Sequence, residues 1–225
     1  MSARSQRALR LVEFNLHPAR FAHRSWYEDR PGGHALREAL FDADGRVERR
    51  AEPLVSGWLL RELGLQDQMD WEMDEPQKRL WMLDGRSLER LALELALAMH
   101  REWLVRLIEG TRLRALAAQV GGQALRFVVE EVPEGAFHFQ APVVSLDPQP
   151  QDDLGVELKQ HGARTLLALL DPTWRAVRGR AQLFFDRTQE LGEQAPLESE
   201  HSRRALELIC GKLIPRRFPE WAWCF

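Results

Sequence analysis

The stretch SLERLALELALAMHREWLVRLIE, from Ser87 to Glu109, decides the fold class. Leu88, Leu91, Leu95, Met99, Trp103, Leu104, Leu107 and Ile108 recur at steps of three and four residues. Arg90, Glu94, Arg101, Glu102 and Arg106 take the other face. That period belongs to a helix of about six turns. Ser87 stands where a hydroxyl accepts from the free backbone N–H groups of a first turn. Gly110 stands where a helix stops, because glycine reaches the left-handed conformation without a Cβ penalty.

The same pattern extends in both directions. Downstream, Thr111 caps a predicted helix over Arg112–Val120, closed by Gly121-Gly122. A further helix is expected over Gln123–Val132, ended by Pro133, although Phe127-Val128-Val129 is β-prone. Residues 133–151 carry prolines at 133, 142, 148 and 150 and are expected as loop, with Ala136–Ser145 extended. The helical period returns from Asp152 through Leu154, Leu158, Leu166 and Leu170 to Asp171-Pro172. Helices are then expected over Thr173–Leu191 and Glu198–Leu213. Upstream, Pro53 suits the first turn of a helix carrying Leu54, Trp58, Leu59 and Leu63 and ended by Gly64. Pro18 opens a short helix with Phe21, Ala22 and Trp26, and His34–Phe41 is helical before a turn at Asp42–Gly45. The fold class expected is mainly α: a single multi-helix domain over 1–225 with a long Pro-containing internal loop, the 133–151 loop being its one candidate boundary.

Composition narrows the function. At 225 residues the chain can bury a sizeable core without metal or disulfide staples. Cys210 and Cys224 make no disulfide framework and no zinc spacing. The N-terminus is basic, but Arg10 and Glu13 interrupt any apolar run after it, which argues against a secretory signal. No stretch approaches 18 uninterrupted apolar residues, which argues against a membrane span and for a cytoplasmic protein. The net charge of −3 gives no basic excess for nucleic acid. No phosphate-cradling glycine motif, H-E-x-x-H or G-x-S-x-G is present. The seven histidines are scattered, Cys210 lies on an apolar helix face, and Asp152-Asp153 suits a helix N-terminus. No catalytic residue, cofactor or metal is expected.

Charge is more informative than catalytic motifs. Residues 51–84 hold eight acids against three bases, with Asp67, Asp70, Glu72, Asp74 and Glu75 around Trp71. Residues 161–192 hold five Arg against three acids, and Arg175, Arg178 and Arg187 share a predicted helical stripe around Trp174; Arg180 is less well aligned. Arg216 and Arg217 precede Phe218, Trp221, Trp223 and Phe225. A charge run is usually a solvated face. Blocks of opposite sign with aromatics inside them are also the composition of protein-docking surfaces, because Trp and Arg are enriched at hot spots and complementary fields steer partners. The aromatic tail either packs back on the helices or presents an anchor to a partner.

The stretch Arg79-Leu80-Trp81-Met82-Leu83-Asp84-Gly85-Arg86-Ser87-Leu88-Glu89-Arg90-Leu91-Ala92-Leu93, continuing through Ala98-Met99-His100 to Leu107-Ile108-Glu109-Gly110, resembles the central region of the SctK/YscK-type proteins of bacterial type III secretion. Ala205-Leu206-Glu207-Leu208 through Lys212-Leu213-Ile214-Pro215 to the end is similar to their closing stretch. The resemblance implies a non-enzymatic α-helical adaptor of the sorting platform, at the cytoplasmic face of the inner membrane. It would link the ring protein SctD to the pod protein SctQ, which carries SctL and the ATPase SctN. The partner-binding candidates are Asp67, Asp70, Trp71, Glu72, Asp74 and Glu75 for one partner. Trp174, Arg175, Arg178 and Arg187, or Arg216, Arg217, Phe218, Trp221 and Trp223, are those for the other. Two rival readings are a nucleic-acid-associated regulator using the Arg stripe and an enzyme with a pocket built from scattered residues.

Overall fold

The computed structural model describes residues 2–28, 47–106, 110–135, 154–187, 191 and 195–225; it is helical, and no strand forms among these residues. In chain order the helices are α1 (Ala3–Leu16), α2 (Ser25–Glu28), α3 (Glu52–Glu62), α4 (Pro76–Arg79), α5 (Gly85–Met99), α6 (Arg101–Arg106), α7 (Gly110–Val120), α8 (Gly122–Glu131), α9 (Leu154–Ala168), α10 (Arg175–Gln182), α11 (Ser199–Leu208) and α12 (Ile214–Arg217). Short 3₁₀ turns fill Pro18–Arg20, Leu80–Met82 and Pro219–Cys224, and a π-turn joins α11 to α12 over Ile209–Leu213. The predicted helix at His34–Phe41, the turn at Asp42–Gly45, the extended Ala136–Ser145, most of the 133–151 loop and Asp152-Asp153 lie outside the described residues.

Several helix boundaries differ from the sequence expectation. The long central helix starts earlier: Asp84, not Ser87, accepts the first-turn N–H, from Ser87 at 2.7 Å. The Ser87 hydroxyl instead accepts from the Trp221 indole at 3.0 Å. The same helix is interrupted at His100, between α5 and α6. The helix expected over Thr173–Leu191 is shorter, because Leu183, Phe184 and Phe185 leave it to enter the interior. Its start is delayed by Asp171, whose carboxylate accepts from the Thr173 amide and hydroxyl at 2.7 and 2.6 Å. α1 was not anticipated. Ser2 caps it by accepting from the Ser5 amide at 3.2 Å, and no Gly or Pro interrupts it before Pro18.

The chain divides into two compact units: Met1–Leu88, Leu170–Pro196 and Glu220–Phe225 form one; Glu89–Leu169 and Leu197–Pro219 form the other. In the first unit, rings stack from Phe14 through Phe21 to Phe184 (5.8 and 4.2 Å), and Trp81 packs on Phe184 and Phe185 at 6.0 Å. Beside this core Arg180 is fully buried. Its guanidinium donates to the Asn15 carbonyl (3.1 and 3.3 Å), the Leu65 carbonyl (3.3 Å) and the Ala176 carbonyl of its own helix (3.0 Å). Asn15 lies in the last turn of α1 and Leu65 just beyond α3, where helices leave carbonyls unsatisfied and carry partial negative charge. Burial pushes the Arg180 guanidinium down to about 10 while Asp70 pulls the other way, so it is charged at neutral pH. Gly179 sits close beside it: a Cβ there would come within 2.8 Å of the Leu65 side chain, which would have to shift.

In the second unit, α9 crosses α5 at backbone contact. A Cβ at Gly162 would stand 1.8 Å from the Ala92 carbonyl oxygen, so only glycine fits. Glu94 is buried and accepts from Arg90 at 3.0 Å and from Arg217 at 2.9–3.2 Å. The two guanidiniums lie over Phe218 (Arg90, 4.6 Å) and Phe127 (Arg217, 5.6 Å), so the ion pair is roofed by aromatic faces. His100 and His161 are buried and share a 3.0 Å hydrogen bond between Nε2 and Nδ1. Burial, with His161 adding repulsion, pushes His100 down to about 4; burial, with Arg164 beside it, lowers His161 as well.

Two predictions follow from these polar contacts. Arg180→Met leaves the Asn15 carbonyl unpaired in the interior and the Leu65 carbonyl with the Gln68 amide alone, at 3.2 Å, and its unfolding free energy should fall by about 2 kcal/mol or more in urea titrations. Arg180→Lys keeps the charge without the fork and should lose less; a wild-type-like midpoint for Arg180→Met would refute the clamp. The histidine pair folds in its neutral form, so its contribution is complete above the unfolded value of 6.5 and is lost as the pH falls toward about 4. Thermal midpoints between pH 7 and 4 should therefore drop more steeply for the native chain than for His100→Leu/His161→Leu, in which neither partner titrates.

Candidate partner-binding surface

Between α3 and α4 the chain runs without regular structure, yet its backbone is fastened at almost every step. Gly64 turns it out of α3 at φ +64°, a conformation that suits glycine. The Asn15 side chain then clasps Asp70: its amide donates to the Asp70 carbonyl at 2.7 Å, and its carbonyl accepts from the Asp70 amide at 3.0 Å. The buried Lys78 ammonium donates to the Asp70 carboxylate at 2.8 Å and to the Glu72 carbonyl at 3.0 Å. Arg79 donates to the Met73 and Asp74 carbonyls at 3.0 and 2.6 Å. Met73 plugs into the interior, only 4% exposed.

This fastening turns some side chains in and others out. Asp70 is spent on Lys78 and on the Glu72 amide, which it accepts at 2.9 Å. Asp67, Met69, Trp71, Glu72, Asp74 and Glu75 are exposed, with Met69 at 43% and Trp71 at 46%. The acidic block is thus a displayed surface with one structural member, Asp70. Trp174 is drawn to the same place, since the Lys78 ammonium lies 4.7 Å from the centre of its ring.

The Arg stripe does not form as predicted. Arg175 is exposed, but Arg178 donates to the Leu170 carbonyl at 3.0 Å. Arg187 lies beyond the end of α10, stacked 5.7 Å from the Trp26 ring. Arg180, the member that fitted the stripe least, is the buried clamp. The tail takes the packed alternative. In the first unit Trp221 and Cys224 are buried; Arg10 lies 5.0 Å from the Trp221 ring and Trp223 5.8 Å, with Trp223 itself half-buried. Arg7 donates to the Trp223 and Cys224 carbonyls at 3.2 Å. Burial pushes the Cys224 thiol up to about 11. In the second unit Phe218 is buried and Arg217 serves Glu94, which leaves Arg216 exposed. The anchor reading fails for Phe218 and Trp221 because their rings already complete the two cores.

Sequence reasoning missed the residues that build this surface: Asn15, Lys78, Arg79 and Arg180. Two of them carried a signal. Lys78 is one of three lysines in the chain and sits inside the acidic block, and Asn15 is a polar residue between apolar Phe14 and Leu16. Elsewhere in the first unit, a cavity of about 660 Å³ is lined by Arg20, Arg24, Glu52, Asp84 and Arg86 among others. Its carboxylates are engaged: Glu52 accepts from Arg20 and Ser56 and bonds His17, while Asp84 caps α5. Among the described residues no three His, Cys, Asp or Glu side chains are gathered to hold a metal, and no helix is long and apolar enough to cross a membrane.

A protein-family model described as "YOP proteins translocation protein K (YscK)" matches residues 8–220. No curated protein and no solved structure matches the chain. The match takes in α1 from Ala8 onward, the fastened acidic segment, the central α5 and the closing helices alike, and on that coverage the chain belongs to the YscK family of type III secretion proteins.

Proposed function

We propose that this chain is a non-enzymatic adaptor of the type III secretion sorting platform. It links the inner-membrane ring protein SctD to the pod protein SctQ, and through SctQ to SctL and the ATPase SctN, at the cytoplasmic face of the inner membrane. The observation that supports this best is the exposed Trp71, displayed among acids on a backbone already fastened by Asn15, Lys78 and Arg79. A rigid aromatic in a preset frame loses little freedom on binding, which is what makes a hot spot. The exposed Glu72, Asp74 and Glu75 add a field that steers a cationic partner. The second partner is assigned to the exposed Arg175 and Arg187. The broken stripe removes the feature that favoured a nucleic-acid regulator, and the family is not one of known enzymes.

Trp71→Ala with Glu72→Lys and Asp74→Lys tests this reading. These side chains are exposed, so the thermal midpoint should hold, whereas Asp70 is left intact because it supports the fold. Loss of a hot spot worth about 2 kcal/mol weakens binding roughly 30-fold. Affinity for one of SctD and SctQ should fall by that order while the other is retained. Equal loss of both, or of neither, would defeat the two-surface adaptor.

A further inference from the structure

The outer face of α1 has the wrong composition for water. Ser5, Ala8, Leu9, Val12 and Leu16 lie on it, all exposed and none charged. Three of the four charged residues of the helix are engaged elsewhere: Glu13 pairs with Arg10 at 3.0 Å and with Arg20 at 2.8 Å, and Arg7 holds the C-terminal segment; the exposed Arg4 borders the face in the first turn, next to Ala8. A solvated helix face carries charge, and an apolar one is normally covered. Leu9 is 47% exposed, and Val12 and Leu16 37% each.

The Asn15–Asp70 clasp continues this face into the acidic segment. Leu16 follows Asn15, while Met69 and Trp71 flank Asp70, so these exposed apolar residues each stand one position from the residues that the two hydrogen bonds join. Ser5, Leu9, Val12 and Leu16 are spaced four, three and four residues apart, the seam of a helix pair, over about 16 Å of axis. The flanks of the seam differ. One carries the paired Arg10, Glu13 and Arg20. On the Asn15 side the segment fastened at Asp70 brings Asp67, Glu72 and Asp74, which have no ion partner among the described residues, and Glu75, 3.7 Å from Lys78; the helix's own cation on that side, Arg4, stands three turns away from Asn15 at the other end of α1.

We infer that this face seats a three-turn amphipathic helix of a partner protein, with leucine-like residues at three- and four-residue steps and Lys or Arg along the flank that meets residues 67–75. The inference rests on the adaptor reading and names the chemistry of the partner. A second copy of this chain is a poorer occupant. Laid antiparallel on the same face, it sets one acidic flank against the other, which costs affinity.

Photo-crosslinking in the secreting host tests the inference on the full chain. A photoreactive residue replaces Val12 in one strain and Met69 in another, and the captured peptides are sequenced. Both positions should capture the same segment of one partner, apolar at helical steps with a basic flank. Glu72→Lys with Asp74→Lys should cut both yields at least fivefold, and Val12→Glu should weaken purified binding at least tenfold with an unchanged thermal midpoint. If Met69 captures a secretion protein while Val12 captures nothing, an acidic or extended segment, or a second copy, the helix inference falls and the adaptor reading stands. If neither position captures a secretion protein, both fall.

Discussion

A buried guanidinium governs the first unit. Among the described residues no carboxylate lies within bonding distance of Arg180; its charge is met by the carbonyls of Asn15, Leu65 and Ala176. Because Asn15 stands in the last turn of α1 and Leu65 just beyond α3, one side chain ties the ends of two helices together. The position of Asn15 then fixes Asp70 through the amide clasp, and Asp70 fixes Lys78. The displayed segment therefore inherits its geometry from an interior contact: Arg180 sets Asn15, Asn15 sets the backbone at Asp70, and that backbone sets where Trp71 points. Exchanging such a buried charge for well-packed apolar residues is often harmless in itself, but removing the donor alone strands its acceptors. Here the acceptors are main-chain groups that no simple substitution can replace.

The second unit solves the same problem with paired groups. Glu94 needs both Arg90 and Arg217, which come from helices far apart in sequence, and aromatic faces cover the pair. The histidine pair needs no counter-ion because burial keeps both rings neutral. Each device ties one helix to another at a single register. Gly162 against the Ala92 carbonyl does the same by excluding a side chain.

Much of the fold was legible in the sequence because it rests on the helical period, and helix ends were legible where Gly64, Gly121 or Pro53 made a backbone demand. α1 was not, because its apolar residues serve two faces: Phe14 points inward, and Leu9, Val12 and Leu16 point outward. A helix with apolar residues on opposite sides shows no single stripe, so basic residues at its start dominated the reading. The acidic block was legible as a surface. The inward turn of Asp70 was not, since it depends on Asn15, 55 positions away. The tail left two readings open because composition cannot say whether four aromatic residues find pockets, and here Phe218 and Trp221 do.

The same limit explains the Arg stripe. Periodicity assigns residues to a face, but it assumes the helix persists, and α10 ends at Gln182 because three apolar residues gain more from the interior than from another turn. Once the helix stops, Arg187 belongs to a different surface and finds the Trp26 ring. The stripe's misfit, Arg180, is the residue whose charge the fold consumes. Opposite charge blocks in a near-neutral chain thus divide their members in the same way. One residue of each, Asp70 and Arg180, turns inward to hold the segment in place. Exposed neighbours such as Trp71, Glu72, Asp74 and Arg175 are left for a partner. The inward pair decides where the outward residues stand, so a displayed surface is encoded as much by the charges it hides as by those it shows.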